Sequence, residues 1–355
     1  FESTTTKQKE EQIIAGNLSA VLNPATTIIV NFGIIAILYI SGFKINAGSM
    51  TQGEVISLIN YMNQILLSMY VCANVIVILN KANASYKRCV DVLSQKQDIV
   101  QGINEAPSDY QNLITYDHVS FSYYSGNALT DVSFNILPGQ TIGVIGGTGS
   151  GKTTLINLIP RFYDVTEGEI RIKDLPIKSY MFEDLRNMIG IVPQQATLFG
   201  GTIRENMQWG NPHATDEEIY EALELSQSKE FIDKMTEGLD TYIEQGGKNV
   251  SGGQRQRLTI ARALVKKPEI LILDDSASAL DFATDAKLRK ALSTLNMTVI
   301  IVSQRVSALM HADSIVVLSH GEVVGQGTHD MLMNTCDVYQ EIVMSQMEGG
   351  QSNEE

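Results

Sequence analysis

Membrane-spanning α-helices followed by an α/β unit on a largely parallel sheet is the fold class that this 355-residue sequence predicts. Three observations point there. Two long stretches carry no charge, a later region alternates short apolar runs with helical patterns, and a glycine-rich segment sits between one such run and a helix. At this length two structural units are expected.

The apolar excess lies at the front. Overall 44% of residues are hydrophobic and 19% charged, yet no Asp, Glu, Lys or Arg occurs from Gln12 to Phe43 or from Val55 to Asn80. Each stretch can cross a hydrocarbon layer of ~30 Å as a helix of about 20 residues, which places spans at about 18–42 and 55–80. Buried core helices are the other reading, but uncharged runs of this length favour membrane spans. Lys7 and Lys9 precede the first span, Lys81, Lys87 and Arg88 follow the second, and the connection carries Lys44 against Glu54. Both ends are therefore expected in the cytoplasm, with the loop near Lys44 to Gly53 outside. Pro24 and Gly33 interrupt the first span, as neighbouring helices allow. In the second, Ser57, Asn60, Gln64 and Ser68 recur every three or four residues and form one polar face, which either lines a hydrated pathway or hydrogen-bonds to other helices. Two helices cannot enclose a pathway, so further spans are expected from elsewhere. The chain opens on Phe1, and we expect it to be part of a longer polypeptide.

Asn83 to Leu93 reads as a charged helix leading out of the membrane, and Gln101 to Asp109, with Gly102 and Pro107, as a linker. The expected organisation is a membrane portion over 1–82, a connection over 83–112, a second unit over 113–345 and an acidic flexible tail over 346–355. Strand candidates in the second unit include Ile114 to Phe121, Thr141 to Ile145, Ile189 to Val192, Ile270 to Leu273 and Val299 to Val302, interleaved with helical patterns as in an α/β fold. The net charge of −14 argues against a nucleic-acid partner, which calls for a basic face. Asp216, Glu217, Glu218, Glu221 and Glu224 read as a solvated helical face. Cys72, Cys89 and Cys336 have neither disulfide-framework nor metal-ligand spacing and read as reduced thiols.

Phosphate chemistry is the strongest signal. Gly146, Gly147, Thr148, Gly149, Ser150, Gly151, Lys152 and Thr153 satisfy GxxxxGK[ST] between the apolar strand TIGVI and the helical LINLI. Glycines let the backbone wrap phosphates, Lys152 supplies a charge to the outer ones, and Thr153 offers a hydroxyl to Mg²⁺. Thr154, next along the helix, joins the nucleotide-binding set. The apolar run LILDDSASALD ends in adjacent acids. Asp274, at the tip of a second strand, can hold Mg²⁺ through its waters, and Asp275 follows where a general base would meet attacking water.

With Val250-Ser251-Gly252-Gly253-Gln254-Arg255-Gln256-Arg257 between the phosphate loop and ILILD, the whole chain resembles the ATP-binding cassette (ABC) exporters. Leu18 to Asn80 is similar to the last two membrane helices of such a subunit, and Leu113 to Met344 to its nucleotide-binding domain, an α/β P-loop NTPase fold with β and helical subdomains. The resemblance implies that Tyr123 stacks on adenine, with Tyr124 leaving the register open. It implies that Gln194, rather than Gln195, touches metal and attacking water. Ser251, Gly252, Gly253 and Gln254 would complete a nucleotide site on the opposite domain. Ser278-Ala279-Leu280-Asp281 would form the loop crossing to the opposite subunit, with Asp281 in the nucleotide-binding set, and Glu244 to Lys248 would meet the ends of the membrane helices. Its metal ligands would be Thr153, Gln194 and Asp274.

Two residues depart from the family pattern. Asp275 stands where a catalytic Glu is usual, and Gln304, in IIVSQR, where a switch His is usual. The shorter carboxylate falls back by roughly 1.5 Å, and a misplacement on the order of 1 Å can cost about 10²-fold in rate. Gln304 can hydrogen-bond to a γ-phosphate but cannot carry imidazole's proton or charge. The resemblance, with these departures, implies one half of a heterodimeric, multidrug-type exporter in the cell membrane. That half binds ATP and Mg²⁺ at a hydrolysis-impaired site and pairs with a second subunit bearing the usual Glu and His. A homodimeric exporter with slow sites and an ATP-gated channel or regulator share the same motifs. A soluble ABC translation factor or a separate importer ATPase lacks the fused helices. Multidrug export, of an amphiphilic or drug-like substrate, is what the family analogy implies.

Overall fold

The computed structural model describes residues 2–95, 99–104, 107–123, 126–276 and 279–351, and the chain divides into two compact units, Phe1–Lys96 and Gln97–Glu355.

The first unit is a helical hairpin of α1 (Glu2–Asn46) and α2 (Gln52–Leu93). Pro24 lies inside α1, and among the described residues Pro24 to Asn46 is long and apolar enough to cross a membrane. Gly48, with φ +72°, turns the chain between the helices. Thr51 then caps α2 reciprocally: its side chain accepts from the Glu54 amide (3.4 Å) while the Glu54 carboxylate accepts from the Thr51 amide (2.8 Å). The segment Asn83–Leu93 continues α2 without a break. A Cβ on Gly33 would meet Met62 Sδ at 3.7 Å, which marks where the two helices approach. Ile28, Phe32, Tyr39, Ile65, Leu67, Ile76 and Leu79 stay exposed, and among the described residues no hydrophobic cluster forms within the hairpin. Apolar surface on this scale calls for lipid or further helices.

The second unit runs β1 (Ile114–Tyr123), β2 (Gly126–Ile136), β3 (Thr141–Gly146), α3 (Lys152–Leu158), β4 (Glu167–Ile172), β5 (Leu175–Pro176), α4 (Phe182–Asn187), β6 (Ile189–Val192), β7 (Gly201–Thr202), α5 (Ile203–Gln208), α6 (Asp216–Leu225), α7 (Lys229–Ile232), β8 (Tyr242–Ile243), α8 (Gly252–Leu264), β9 (Ile270–Asp274), α9 (Phe282–Leu292), β10 (Thr298–Val302), β11 (Ser314–Ser319), β12 (Glu322–Gly327), α10 (His329–Thr335) and α11 (Asp337–Gln351). The central sheet has order β12-β11-β3-β10-β9-β6 and is parallel except for the β11–β12 pair. A second sheet, β2-β1-β4-β5, is antiparallel.

Strand alternation places two cores on opposite faces of the central sheet. Ile142, Val144, Ile270, Ile272, Ile300 and Val302 join α3 and the antiparallel sheet in one cluster. Ile145, Leu271, Leu273, Val299 and Ile301 join α5, α6 and α8 in the other. A sheet covered on both faces requires near-continuous apolar strands, and β10 is buried at every residue. The antiparallel sheet adds the stacked pair Tyr116 and Phe134 (centroids 4.5 Å apart) across β1 and β2. Of the five strand candidates, four lie in the central sheet; Ile114 to Phe121 falls instead in β1 of the antiparallel sheet.

Part of the expected linker is docked on this unit. Gly102 and Asn104 donate backbone hydrogen bonds to the carbonyls of Tyr180 (3.0 Å) and Ser179 (2.9 Å). Beyond residue 345, α11 continues through Gln351, and residues 352–355 lie outside the described residues.

Candidate functional site

The expected site residues converge because the strands carrying them are adjacent and parallel. Along β3, β10, β9 and β6 the C-terminal ends deliver, in spatial order, the glycine loop, Gln304, the Asp274–Asp275 pair and Gln194. In open α/β sheets this is the edge where ligands bind.

The loop of residues 147–151 joins β3 to α3. Gly146 and Gly151 are glycines for packing: a Cβ at Gly146 would sit 2.2 Å from the Leu318 carbonyl oxygen, and one at Gly151 (φ +102°) would sit 2.7 Å from that of Ala128. Gly147 and Gly149 differ, since a Cβ on either meets nothing within 4 Å. That leaves an open backbone face of the kind a phosphate can approach. Lys152 folds back over the loop, its Nζ donating to the carbonyls of Gly146 (2.8 Å) and Gly147 (2.7 Å). Thr148 and Thr153 are exposed, while Ser150 and Thr154 are buried. Tyr123 ends β1 with its hydroxyl 3.4 Å from Thr154 Oγ1, its ring edge-on to Phe121 and Tyr163, and 38% exposure. Tyr124 lies outside the described residues.

Asp274 and Asp275 form the acidic pole. Burial pushes the Asp274 carboxyl above its ordinary value; the neighbouring Asp275 adds to this and Lys152 opposes it. Burial likewise raises Asp275, against the charges of Arg305 and Lys152 and a hydrogen bond from the Gln194 side chain. The Lys152 ammonium is in turn pushed down by desolvation, while both aspartates hold it up. Asp275 has φ +44°, and its amide donates to the Val302 carbonyl (2.8 Å), which ties the tips of β9 and β10. Aspartate tolerates this left-handed backbone better than most residues. Gln194 is the glutamine that acts on Asp275, while the neighbouring Gln195 carbonyl accepts from Thr197 (3.4 Å). Gln304 is exposed just beyond β10. Arg305, whose charge acts on Asp275, carried no sequence signal, since only the fold puts the end of β10 beside the end of β9.

Ser251 caps α8 in a reciprocal pair with Gln254: its hydroxyl accepts from the Gln254 amide (3.2 Å), and the Gln254 side chain accepts from the Ser251 amide (2.9 Å). Ser251 and Gly252 are exposed, and a Cβ on Gly253 would lie 3.3 Å from the Ala279 carbonyl oxygen. Among the described residues no hydrogen bond or ion pair joins this turn to the phosphate loop. Asp281 caps α9 through the Thr284 amide (2.9 Å) and hydroxyl (2.8 Å), which holds its carboxyl below the ordinary value. Ser278 lies outside the described residues.

No cluster of three or more His, Cys, Asp or Glu side chains able to hold a metal occurs among the described residues. The expected Mg²⁺ set of Thr153, Gln194 and Asp274 supplies only oxygen donors, which suits an ion that takes few protein ligands and shares substrate phosphates. Two carboxyls both raised by burial are also a pair that a divalent cation would relieve. The residues fit that ion.

The family described as ABC transporter matches residues 129–278. An uncharacterized ABC transporter ATP-binding protein of Bacillus subtilis is 40% identical over 357 residues, 99% of this chain and 62% of its own length. A Staphylococcus aureus relative, described provisionally as a multidrug export ATP-binding/permease protein, is 37% identical over 323 residues, 90% of this chain and 56% of its own. The solved structure of a bacterial Atm1-family ABC exporter with ATP bound superposes with a TM-score of 0.81 at 29% identity, covering 94% of this chain and 60% of that one. The chain thus spans about three fifths of the length of the proteins it matches.

Proposed function

We propose, from its similarity to ABC transporter proteins, that the chain belongs to that family and forms part of one half of a heterodimeric, ATP-driven membrane exporter, the half whose own nucleotide site is impaired in hydrolysis. The observation that carries this reading is the residue at position 275. It follows Asp274 directly and meets Gln194 and the charges of Arg305 and Lys152, as a catalytic carboxylate would, yet it is an aspartate.

ATP would lie with its phosphates against the open backbone of Gly147 and Gly149, with Lys152 released from its loop carbonyls toward the outer phosphates. Mg²⁺, held by Thr153, Asp274 and Gln194, would neutralise phosphate charge. Asp275 would stand roughly 1.5 Å short of where a glutamate carboxylate reaches, which slows attack by water by about 10²-fold. Gln304 would hydrogen-bond to the γ-phosphate without taking up a proton. Binding is kept while hydrolysis is weakened, so ATP here acts as a long-lived clamp between two domains.

The turn at Ser251 to Gln254, exposed at Ser251 and Gly252, would complete the nucleotide site of the second subunit, where hydrolysis opens the clamp. ATP then shifts the equilibrium of the membrane helices by its greater affinity for the closed pair. The bare apolar surfaces of α1 and α2 favour a place in the lipid bilayer among further helices. The test is ATP turnover in the assembled exporter. Asp275→Glu combined with Gln304→His should raise turnover at this site, and no increase would place the cause of slow hydrolysis elsewhere.

A further inference from the structure

The segment Ser303 to Val306, which carries Gln304 and Arg305, is fastened at both ends. At its entry the sheet holds it: the Asp275 amide donates to the Val302 carbonyl (2.8 Å) and the Ser303 amide to the Val144 carbonyl (3.1 Å). At its exit a side chain from 40 residues further along does so. Gln346 accepts from the Val306 amide through Oε1 (2.9 Å) and donates through Nε2 to the Gln304 carbonyl (2.6 Å). Between these anchors the Arg305 amide turns inward to Ser303 Oγ (3.0 Å), and the Gln304 and Arg305 side chains stay exposed.

A carboxamide suits this task because it accepts and donates at once, so one rigid group grips a carbonyl and the amide two residues later. Val306 is buried and opens a single 3₁₀ turn, Val306–Ala308. Its amide is a helix-start donor that needs an acceptor from outside the turn. Gln346 is itself held in place. It lies on α11, whose Tyr339 and Val343 are buried in the same core as Val306 and Leu309, and the Tyr339 hydroxyl meets His329 Nδ1 at 2.8 Å.

We infer that Gln346 is a positioning residue for the nucleotide site, fixing the backbone from which Gln304 is presented to the terminal phosphate. This rests on the proposed reading that Gln304 meets the γ-phosphate. It makes the C-terminal helix α11 part of the machinery that tells ATP from ADP.

The experiment measures discrimination instead of turnover. A photoreactive ATP analogue labels the full-length chain in its assembly, and a non-hydrolysable ATP analogue or ADP competes. Gln346→Met should weaken the triphosphate relative to ADP by about 5- to 10-fold, the scale set by losing this pair of hydrogen bonds. Gln346→Glu, which accepts from Val306 but cannot donate to the Gln304 carbonyl, should shift the ratio the same way and carries the test if Gln346→Met does not fold. Ser345→Ala, whose hydroxyl bonds only within α11 to the Ile342 carbonyl (2.8 Å), should leave the ratio unchanged. Equal weakening of both nucleotides, or an unaltered ratio in the Gln346 variants, would overturn the inference. Because the competitor is not hydrolysed, brisk ATP cleavage at this site would count against the impaired-site reading without disturbing this readout.

Discussion

Gln194 and Asp275 are brought together across the sheet: a side chain just beyond β6 lies near enough to the carboxylate just beyond its neighbour β9 to favour its charged form. Gln194 thus favours the charged form of a group that burial works against, alongside Arg305 and Lys152. On the proposed reading, an acid so surrounded would act at a nucleotide's terminal phosphate, and its length would decide how well it performs.

Burial raises both Asp274 and Asp275 above the ordinary carboxyl value of 3.8. The folded state therefore binds more protons than the unfolded one between 3.8 and the raised values, so stability falls as pH rises through that window and the cost is fully present at neutral pH. Asp274→Asn and Asp275→Asn should each raise the Tm of the nucleotide-free protein at pH 7 by about 2–4 °C, with the gain shrinking toward pH ~4. Thermal melts across that range check this, and a lower Tm at pH 7 would contradict it.

The glycines of the phosphate loop separate stability from binding. Gly151→Ala must push a Cβ against the Ala128 carbonyl and Leu129 at φ +102°, and should cost about 2–4 kcal/mol. Gly147→Ala meets nothing within 4 Å and should change stability by less than about 0.5 kcal/mol, yet it should weaken nucleotide labelling because the new methyl occupies the phosphate's approach. Chemical denaturation and photolabelling of both variants distinguish the effects, and equal destabilisation would refute the division.

The observed capping role of Ser251 and its proposed role at a second subunit's site can be measured apart. Removing its hydroxyl costs the α8 cap about 1 kcal/mol. On the proposed geometry, Ser251→Ala should also slow hydrolysis at the second subunit's site more than at the site built on Lys152. Site-resolved nucleotide trapping tests this, and equal damage at both sites would contradict the crossed arrangement.

The loop, the acidic strand tip and the apolar helices were legible in the sequence because each is a local pattern with a mechanical reason: a glycine spacing, a period of two, an uncharged run. Strands β2 and β11 carry the same alternation or apolar run, in Val132-x-Phe134-x-Ile136 and Ile315 to Leu318, and could have been found. Asp281 three residues before Thr284 is likewise a helix-start signal. Arg305 and Gln346 are different. Their importance arises only when β10 lands beside β9 and α11 packs over the turn after β10, contacts between residues up to 42 positions apart. No local pattern encodes such pairings.

The most direct measurement is single turnover at this chain's own nucleotide site, in the proposed exporter assembly with the proposed second subunit's site disabled. Bound ATP should persist about 100-fold longer in the natural protein than in one carrying Asp275→Glu and Gln304→His together. Rapid phosphate release from the unaltered site, abolished by Asp275→Asn, would contradict the account.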